Sequence, residues 1–273
     1  METPEADAPP ASVLRAFGVA GPVQSLGGFT GAWRAGDLVL KRSDAGADAL
    51  QCEARVLASV ADGGFRLQRL RRAVDGSLLV AGWIARDFLH GAHATDRWPD
   101  VLRVGDALSA ALCGITREDA APMIDGRTNP WGIADRIAWE EEPMPTGEAY
   151  AGPVLRRLAD ARRPVSATPQ LVHGDLTGNV LFAGEAPPAV IDFSPYFRPA
   201  GYALGVVMAD AVVWHGATLD LLKPVAARPE MGQCLVRALL FRHVTGILLD
   251  RRLPFGAAAD RYEELVGAAL ALA

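Results

Sequence analysis

The hydrophobic pattern of the chain changes near residue 90, and this change constrains the fold more than any other feature. Before Gly91, short apolar runs separated by glycines and by Asp-Gly pairs predict antiparallel strands. Within this part, residues 48–61 carry apolar side chains at the spacing of an amphipathic helix: Leu50, Ala54, Leu57 and Val60. After Gly91 the pattern is helical over long stretches: 98–112, 153–162, 203–214, 231–249 and 258–272. The sequence therefore predicts an α+β fold, in which an antiparallel sheet with one helix precedes a mainly helical part.

The length of the chain indicates two closely packed lobes. At 273 residues it exceeds one minimal core, yet it is short for two independent domains. We place the lobes at residues 1–88 and 89–273, where the pattern changes. The oligomeric state is left open.

Composition and charge describe an ordinary globular protein. Half of the residues are hydrophobic, and the net charge of −5 is spread without long like-charge runs, which argues against a nucleic-acid partner. No stretch reaches the ~20 apolar residues of a membrane span, and the N-terminal segment METPEADAPP is acidic and proline-rich, unlike a secretory leader. Cys52, Cys113 and Cys234 lie far apart without a C-x-x-C spacing, so neither a disulfide framework nor a zinc site is predicted. We expect a cytoplasmic protein with no membrane partner.

A polar loop between two apolar strands is the strongest chemical signal. The segment 171–182 reads LVHGDLTGNVLF, and thirteen residues after Asn179 the apolar run 189–191 ends at Asp192. A hairpin of this length brings its two ends together, so Asp175, Asn179 and Asp192 are expected to converge. Two carboxylates and an amide form a hard, oxygen-rich site that suits Mg²⁺. Each aspartate taken alone could simply close a turn.

These residues, in this order, resemble the catalytic and metal-binding loops of the aminoglycoside phosphotransferase-like small-molecule kinases, which are related to protein kinases. The resemblance implies a protein kinase-like two-lobed fold and transfer of the γ-phosphoryl group of ATP to a hydroxyl of a small molecule, such as a sugar, amino sugar, amino alcohol or aminoglycoside. It implies that Asp175 is the catalytic base and that Asn179 and Asp192 bind Mg²⁺. His173 would brace the loop. ATP and GTP are both compatible with the sequence.

The first lobe offers a second match to this pattern. A kinase needs a cation on the third strand for the nucleotide phosphates and a helix carboxylate that holds this cation. Lys41 ends the apolar run 38–40 and is one of only two lysines among 27 basic residues, while Glu53 lies in the following predicted helix. We therefore expect Lys41 and Glu53 to pair. The alternative is an exposed strand end and an ordinary surface helix position.

Three further features are assigned to the nucleotide by the same resemblance. Gly28, in the run 27–31, would belong to a turn over the phosphates, although a plain hairpin turn explains the glycines equally well. Trp83 and Ala85 stand where the connection between the lobes would offer backbone groups to the base. Leu181 would form a wall of the base pocket. The alternative for these apolar residues is a place in the core.

The loop departs from the family pattern at one place. Asn179 follows Asp175 by four residues, where five are usual, and Gly178 could allow a tighter path that restores the position of the amide. The shortened loop keeps a second hypothesis open, a nucleotide-binding pseudokinase with a regulatory or scaffolding role. A third, a metal-dependent hydrolase built on His173 and Asp175, lacks further ligands at a suitable spacing.

The acceptor site is not assigned by the resemblance. Two groups of polar and aromatic side chains could suit a cationic or polyhydroxyl acceptor through carboxylate pairing and ring stacking. They could equally be a packed helix and a solvated acidic turn. The two groups are Asp210 with Trp214 and His215, and Trp139 with Glu140, Glu141 and Glu142.

Overall fold

The computed structural model of the protein describes residues 7–27, 31–61, 63–250 and 257–273. In these ranges the strands are β1 (Gln24–Gly27), β2 (Ala32–Ala35), β3 (Leu38–Arg42), β4 (Arg66–Leu67), β5 (Leu70–Arg71), β6 (Trp83–Asp87), β7 (Gln170–His173), β8 (Val180–Ala183), β9 (Ala186–Val190) and β10 (Pro195–Arg198). The α-helices are α1 (Ala11–Ala16), α2 (Ala47–Ser59), α3 (Trp98–Leu112), α4 (Arg117–Ile124), α5 (Pro130–Ala138), α6 (Pro153–Asp160), α7 (Ala200–His215), α8 (Lys223–Ala226), α9 (Met231–Leu248) and α10 (Ala257–Leu272). The α+β prediction is confirmed.

Five strands form an antiparallel sheet in the order β1-β2-β3-β6-β5. Successive side chains of a strand point to opposite faces, and the apolar residues follow this rule. Leu40, Trp83 and Ala85 pack with α1 on one face, whereas Ile84 packs against Leu50 of α2 on the other. Lys41 therefore projects from the face that α2 covers, because it neighbours Leu40 along the strand.

A second, three-stranded sheet has the order β4-β9-β8. The hairpin of β8 and β9 is antiparallel, with Val180 opposite Val190, and β4 pairs with β9 in parallel. Strand β7 pairs with β10. The polar loops that follow β7 and β9 are thus carried by short strands that lie among the helices.

The helices of the second half enclose the larger core. Helices α7 and α9 are buried along most of their length and pack against each other. Within the described residues, no helix is both long and apolar enough to cross a membrane. The lobe boundary at residue 88 stays a prediction.

Candidate active site

The loop after β7 is fixed by a buried histidine. His173 is 1 % exposed, and its Nδ1 accepts the backbone N–H of Asp175 at 3.2 Å. Nε2 must then carry the ring proton, which it donates to the carbonyl oxygen of Ile191 at 3.1 Å. Burial lowers the pKa of His173, so the ring is neutral and can make both contacts at once. His173 therefore ties the loop of Asp175 to the loop of Asp192.

Asp192 adopts a backbone conformation that is rare for a residue with a side chain. Its φ is 54°, in the left-handed region that aspartate tolerates better than most residues. The buried Gln68 holds this conformation, because its Oε1 accepts the Asp192 N–H at 3.0 Å while its Nε2 donates to the Asp87 carbonyl at 2.8 Å. Such backbone strain is typical of functional sites.

The carboxylate of Asp192 forms an ion pair with Lys41. Burial alone would raise the pKa of Asp192, but the ammonium of Lys41 and the guanidinium of Arg86 outweigh it, so the pKa lies below its usual value. Asp192 is therefore an anion ready to bind a cation. Lys41 reaches it from β3, across the cleft between the five-stranded sheet and the β8–β9 hairpin.

Asn179 lies beside the Asp192 loop. Its backbone carbonyl accepts the N–H of Ile191 at 3.0 Å, and its Nδ2 donates to the Asp175 carbonyl at 2.6 Å. Gly178 has a φ of 75°, which gives the shortened loop its tight path. Because Nδ2 is engaged within the loop, Oδ1 is the side-chain atom of Asn179 suited to a cation.

These oxygens fit Mg²⁺. Asp192 offers a carboxylate and Asn179 an amide oxygen, the hard donors that Mg²⁺ prefers. Among the described residues, no group of three or more His, Cys, Asp or Glu side chains could hold a metal by itself. Mg²⁺ commonly takes one or two protein ligands and completes its shell with water and substrate phosphates.

Asp175 faces the cleft and is held from behind by an arginine. Its Oδ1 accepts a hydrogen bond from Nη2 of Arg242 at 2.7 Å, and Arg242 also contacts Asp210. The Asp175 side chain is 43 % exposed. Sequence reasoning missed Arg242, because arginine makes up nearly all the basic residues of this chain and its type therefore carries no signal.

The expected pairing of Lys41 with Glu53 is wrong. Glu53 instead accepts two hydrogen bonds from Arg86 on β6, at 2.5 and 3.2 Å. Both side chains are buried, and the planar guanidinium matches the carboxylate at two points, which an ammonium cannot do. The sequence held one signal for Arg86, a charged residue two positions after Ile84 on the inward face of a buried strand.

Trp83 and Ala85 are also placed differently from the prediction. They lie inside β6 and are fully buried, on the face of the sheet that packs against α1. The connection that follows β6 begins only after Asp87, so these two residues cannot form it. Gly28 lies outside the described residues.

Leu181 lies against the connection between β6 and α3. A side-chain carbon added at Gly91 would come within 2.7 Å of the Leu181 Cβ, so only glycine allows the chain to pass here. Ala92 and Phe182 exchange two backbone hydrogen bonds of 2.9 Å at the same place. A role of Leu181 in base binding stays a prediction.

A cavity of about 680 Å³ opens in front of these residues. It reaches from the charged residues of the cleft to the beginning of α2 and to the segment 122–131. Its aromatic side chains include Trp131, Tyr196 and Phe241, and its charged residues are Lys41, Arg42, Asp44, Asp48, Glu53, Arg86, Asp125, Arg127, Asp175, Asp192 and Arg242.

The residues nominated for the acceptor do not line this cavity. Asp210 is buried, whereas Trp214 is 46 % exposed near the end of α7, and the ring of His215 lies against Trp98. The three glutamates after Trp139 are partly exposed, and each forms an ion pair with an arginine: Glu140 with Arg237, Glu141 with Arg198, and Glu142 with Arg136.

Comparisons with known proteins bear on the family and the fold of the chain. The model of the phosphotransferase enzyme family (APH) matches residues 29–198. An apo structure of a thermostable mutant of aminoglycoside phosphotransferase APH(4)-Ia shares 17 % identity at a TM-score of 0.61, over 95 % of this chain and 96 % of that one. A GDP and kanamycin complex of APH(2")-IIia shares 19 % at 0.58, over 95 % and 96 %. A choline/ethanolamine kinase family protein from Mesorhizobium loti shares 17 % at 0.53, over 93 % and 89 %. A search of curated proteins finds no match.

The fold is thus that of the aminoglycoside phosphotransferases, related to protein kinases. Because the family model covers more than half of the chain, the protein belongs to the phosphotransferase enzyme family.

Proposed function

We propose that the protein is a small-molecule kinase that transfers the γ-phosphoryl group of ATP, with Mg²⁺, to a hydroxyl of its acceptor. The observation that carries this proposal is the convergence of Asp175 and Asp192 on one cavity, with Lys41 on the Asp192 carboxylate. Solved relatives of the same fold contain ADP with hygromycin B, or GDP with kanamycin. These are properties of those proteins, and they favour a nucleotide and a small acceptor here.

Asp175 acts on the acceptor in this proposal. Its free carboxylate oxygen orients the hydroxyl and accepts its proton, while the hydroxyl oxygen bonds to the γ-phosphorus and the bond from that phosphorus to the bridging oxygen of ADP breaks. ADP leaves with the electron pair of the broken bond. The acceptor binds in the cavity of about 680 Å³ next to Asp175.

Lys41, Asp192 and Asn179 act on the nucleotide. Lys41 exchanges Asp192 for phosphate oxygens when the nucleotide binds, and Asp192 and Asn179 hold Mg²⁺. The metal neutralises charge on the phosphates. Positioning and charge neutralisation supply most of the rate in such reactions.

Two variants test these roles. Asp175→Asn should abolish phosphoryl transfer and keep its affinity for Mg-ATP, whereas Asp192→Asn should weaken binding of Mg-ATP itself. Binding is measured by calorimetry, and turnover by ADP release with sugars, amino sugars, amino alcohols and aminoglycosides, with GTP as a parallel donor. Normal turnover by both variants would show that these assignments are wrong.

A nucleotide-binding pseudokinase is the second candidate. It is favoured by one observation, that both carboxylates are engaged by cations of the chain itself, Lys41 and Arg242. In that case the wild-type protein binds Mg-ATP but releases no ADP, alone or with any acceptor.

A further inference from the structure

Arg242 connects the loop of Asp175 to the packed helical core. It lies on α9 with its side chain only 13 % exposed, and its main partner is Asp210 on α7, whose side chain is 7 % exposed. Nε of Arg242 donates to one oxygen of Asp210 at 2.8 Å and Nη2 to the other at 2.5 Å. This two-point contact fixes the plane of the guanidinium.

The same guanidinium makes a third hydrogen bond that leaves the core. Nη2 carries two hydrogens, and the second is donated to Oδ1 of Asp175 at 2.7 Å. With Oδ1 occupied, Oδ2 is the oxygen of Asp175 that can take a proton from an acceptor. The direction of that oxygen is therefore set by a chain of contacts that begins at the buried Asp210.

The charges of the cluster formed by Asp175, Asp210 and Arg242 indicate that Arg242 has a role beyond packing in the core. Two carboxylates share one guanidinium, so the cluster carries one net negative charge. Burial raises the pKa of Asp210, although Arg242 opposes this effect. A pair needed only to fill the core would require Asp210 and Arg242 alone. The third contact goes to the half-exposed carboxylate at the reaction centre.

We propose that Arg242, held in place by Asp210, is a positioning residue that fixes the orientation of Asp175 for phosphoryl transfer. The role rests on the proposed function, and it belongs to the fork of the guanidinium rather than to its charge. A lysine at this position would keep the charge but lose the fixed fork that reaches both carboxylates. A misplacement of about 1 Å at a reacting group costs on the order of 10²-fold in rate.

The test uses the full-length protein and needs no acceptor, because water can take its place. ADP release from saturating Mg-ATP is measured for the wild type, Arg242→Lys and Asp210→Asn, together with the affinity for Mg-AMP-PNP. Both variants should lose about 10- to 100-fold in the rate of hydrolysis and keep the wild-type affinity. If Arg242 had a purely structural role, the variants would be less stable, but they would not show a reduced rate of hydrolysis together with an unchanged affinity for Mg-AMP-PNP.

The matched control is Arg261→Lys. Arg261 is also a helix arginine, but it donates to the carbonyl oxygens of Val212 and Val213, at 3.1 Å each. This variant should hydrolyse ATP at the wild-type rate. Asp210→Asn guards against a folding defect of Arg242→Lys, since it leaves the arginine in place, and cooperative thermal unfolding confirms that each variant is folded.

The outcomes separate the two proposals. If the wild type releases ADP and both folded variants do so at the same rate, the positioning role is wrong, and the proposed kinase function is not affected. If the wild type binds Mg-AMP-PNP but releases no ADP from Mg-ATP, either with water alone or with the sugars, amino sugars, amino alcohols and aminoglycosides, the kinase function is wrong, and the positioning role is wrong with it.

Discussion

Two cations in the cleft have partners that differ from the usual arrangement of a kinase. In protein kinases the strand lysine pairs with the helix glutamate, and that pair must be formed for activity. Here Glu53 of α2 forms an ion pair with Arg86, and Lys41 forms one with Asp192. The helix is therefore fastened to the sheet by an ion pair that does not involve Lys41. Lys41 can move to a nucleotide without releasing α2.

The Glu53–Arg86 pair should be important for stability. Removing one partner of a buried ion pair leaves the other charge uncompensated and costs about 3–5 kcal/mol. Burial lowers the pKa of Arg86, but the Glu53 carboxylate raises it above its ordinary value, so both members of the pair are charged. We expect Glu53→Gln to lower the free energy of unfolding by about that amount, measured by urea denaturation.

The control for Glu53→Gln is Glu263→Gln. Glu263 pairs with Arg157 at 2.9 Å, but about half of each side chain is exposed, and such pairs contribute about 0–1 kcal/mol. Equal losses for the two variants would contradict the structural role of the buried pair.

Sequence reasoning reached the residues of the hairpin and missed their partners. Asp175, Asn179 and Asp192 are close in sequence, so the length of a hairpin is enough to bring them together. Arg86 and Arg242 reach Glu53 and Asp175 only through the packing of distant elements. Their type gave no help in a chain where 25 of 27 basic residues are arginines. The expected partner of Lys41 is wrong because Arg86, which takes its place at Glu53, could not be recognised among so many arginines.

At the scale of elements, the pairing of β7 with β10 shapes the loop that carries Asp175. Gly174 follows β7, and a side-chain carbon at this position would come within 2.3 Å of the Tyr196 ring on β10. Tyr196 is buried, with its ring edge-on to Phe241 of α9. Moving the Tyr196 ring aside would therefore disrupt this packing and cost stability. Because residue 174 is glycine, the two strands and α9 can meet next to Asp175.

Gly174→Ala should destabilise the protein and disturb the loop. Extra atoms in a well-packed interior cost about 1–3 kcal/mol, and the displaced strand carries His173 and Asp175. We expect a lower melting temperature together with a loss of turnover. Gly114→Ala is the control, because a side chain there would meet no atom within 4 Å, and it should leave stability unchanged or slightly higher. Normal stability of Gly174→Ala would contradict the packing argument.

Long periodic helices were predicted well and short ones were missed. The stretch 98–112 coincides with α3, and α6, α7, α9 and α10 follow their predictions to within three residues at each end. Helices α4 and α5 are short, and proline or glycine interrupts their patterns. The residues just before these helices did carry a signal, since Thr116 and Asn129 cap them by accepting the N–H of Asp119 and Gly132. This cap explains why Asn129 is one of the two asparagines.

At the scale of the whole molecule, the two predicted lobes are joined at several points around the site. Strand β4 pairs with β9, Gln68 holds the backbone of Asp192, and Lys41 reaches the same residue from β3. Arg66 adds hydrogen bonds to the carbonyl oxygens of His90 and Pro187. A nucleotide that binds both Lys41 and Asp192 would replace their direct ion pair with a bridge between the same two elements.

Binding of Mg-ATP should therefore stabilise the whole chain. A ligand present at 100 times its dissociation constant adds about 2.7 kcal/mol, and each kcal/mol raises the melting temperature of a chain of this size by about 2–4 °C. We expect a rise of several degrees in a thermal unfolding experiment, lost when EDTA removes the metal.

Variants of the two aspartates show which of them this rise in melting temperature depends on. Asp192→Asn should lose most of the rise, because the carboxylate that would hold the metal is gone. Asp175→Asn should keep it, because in the proposed mechanism Asp175 acts on the acceptor. A rise that survives both EDTA and Asp192→Asn would mean that the nucleotide binds without the metal site. Asp192 would then serve chiefly as the partner of Lys41, and the metal would have to be held elsewhere.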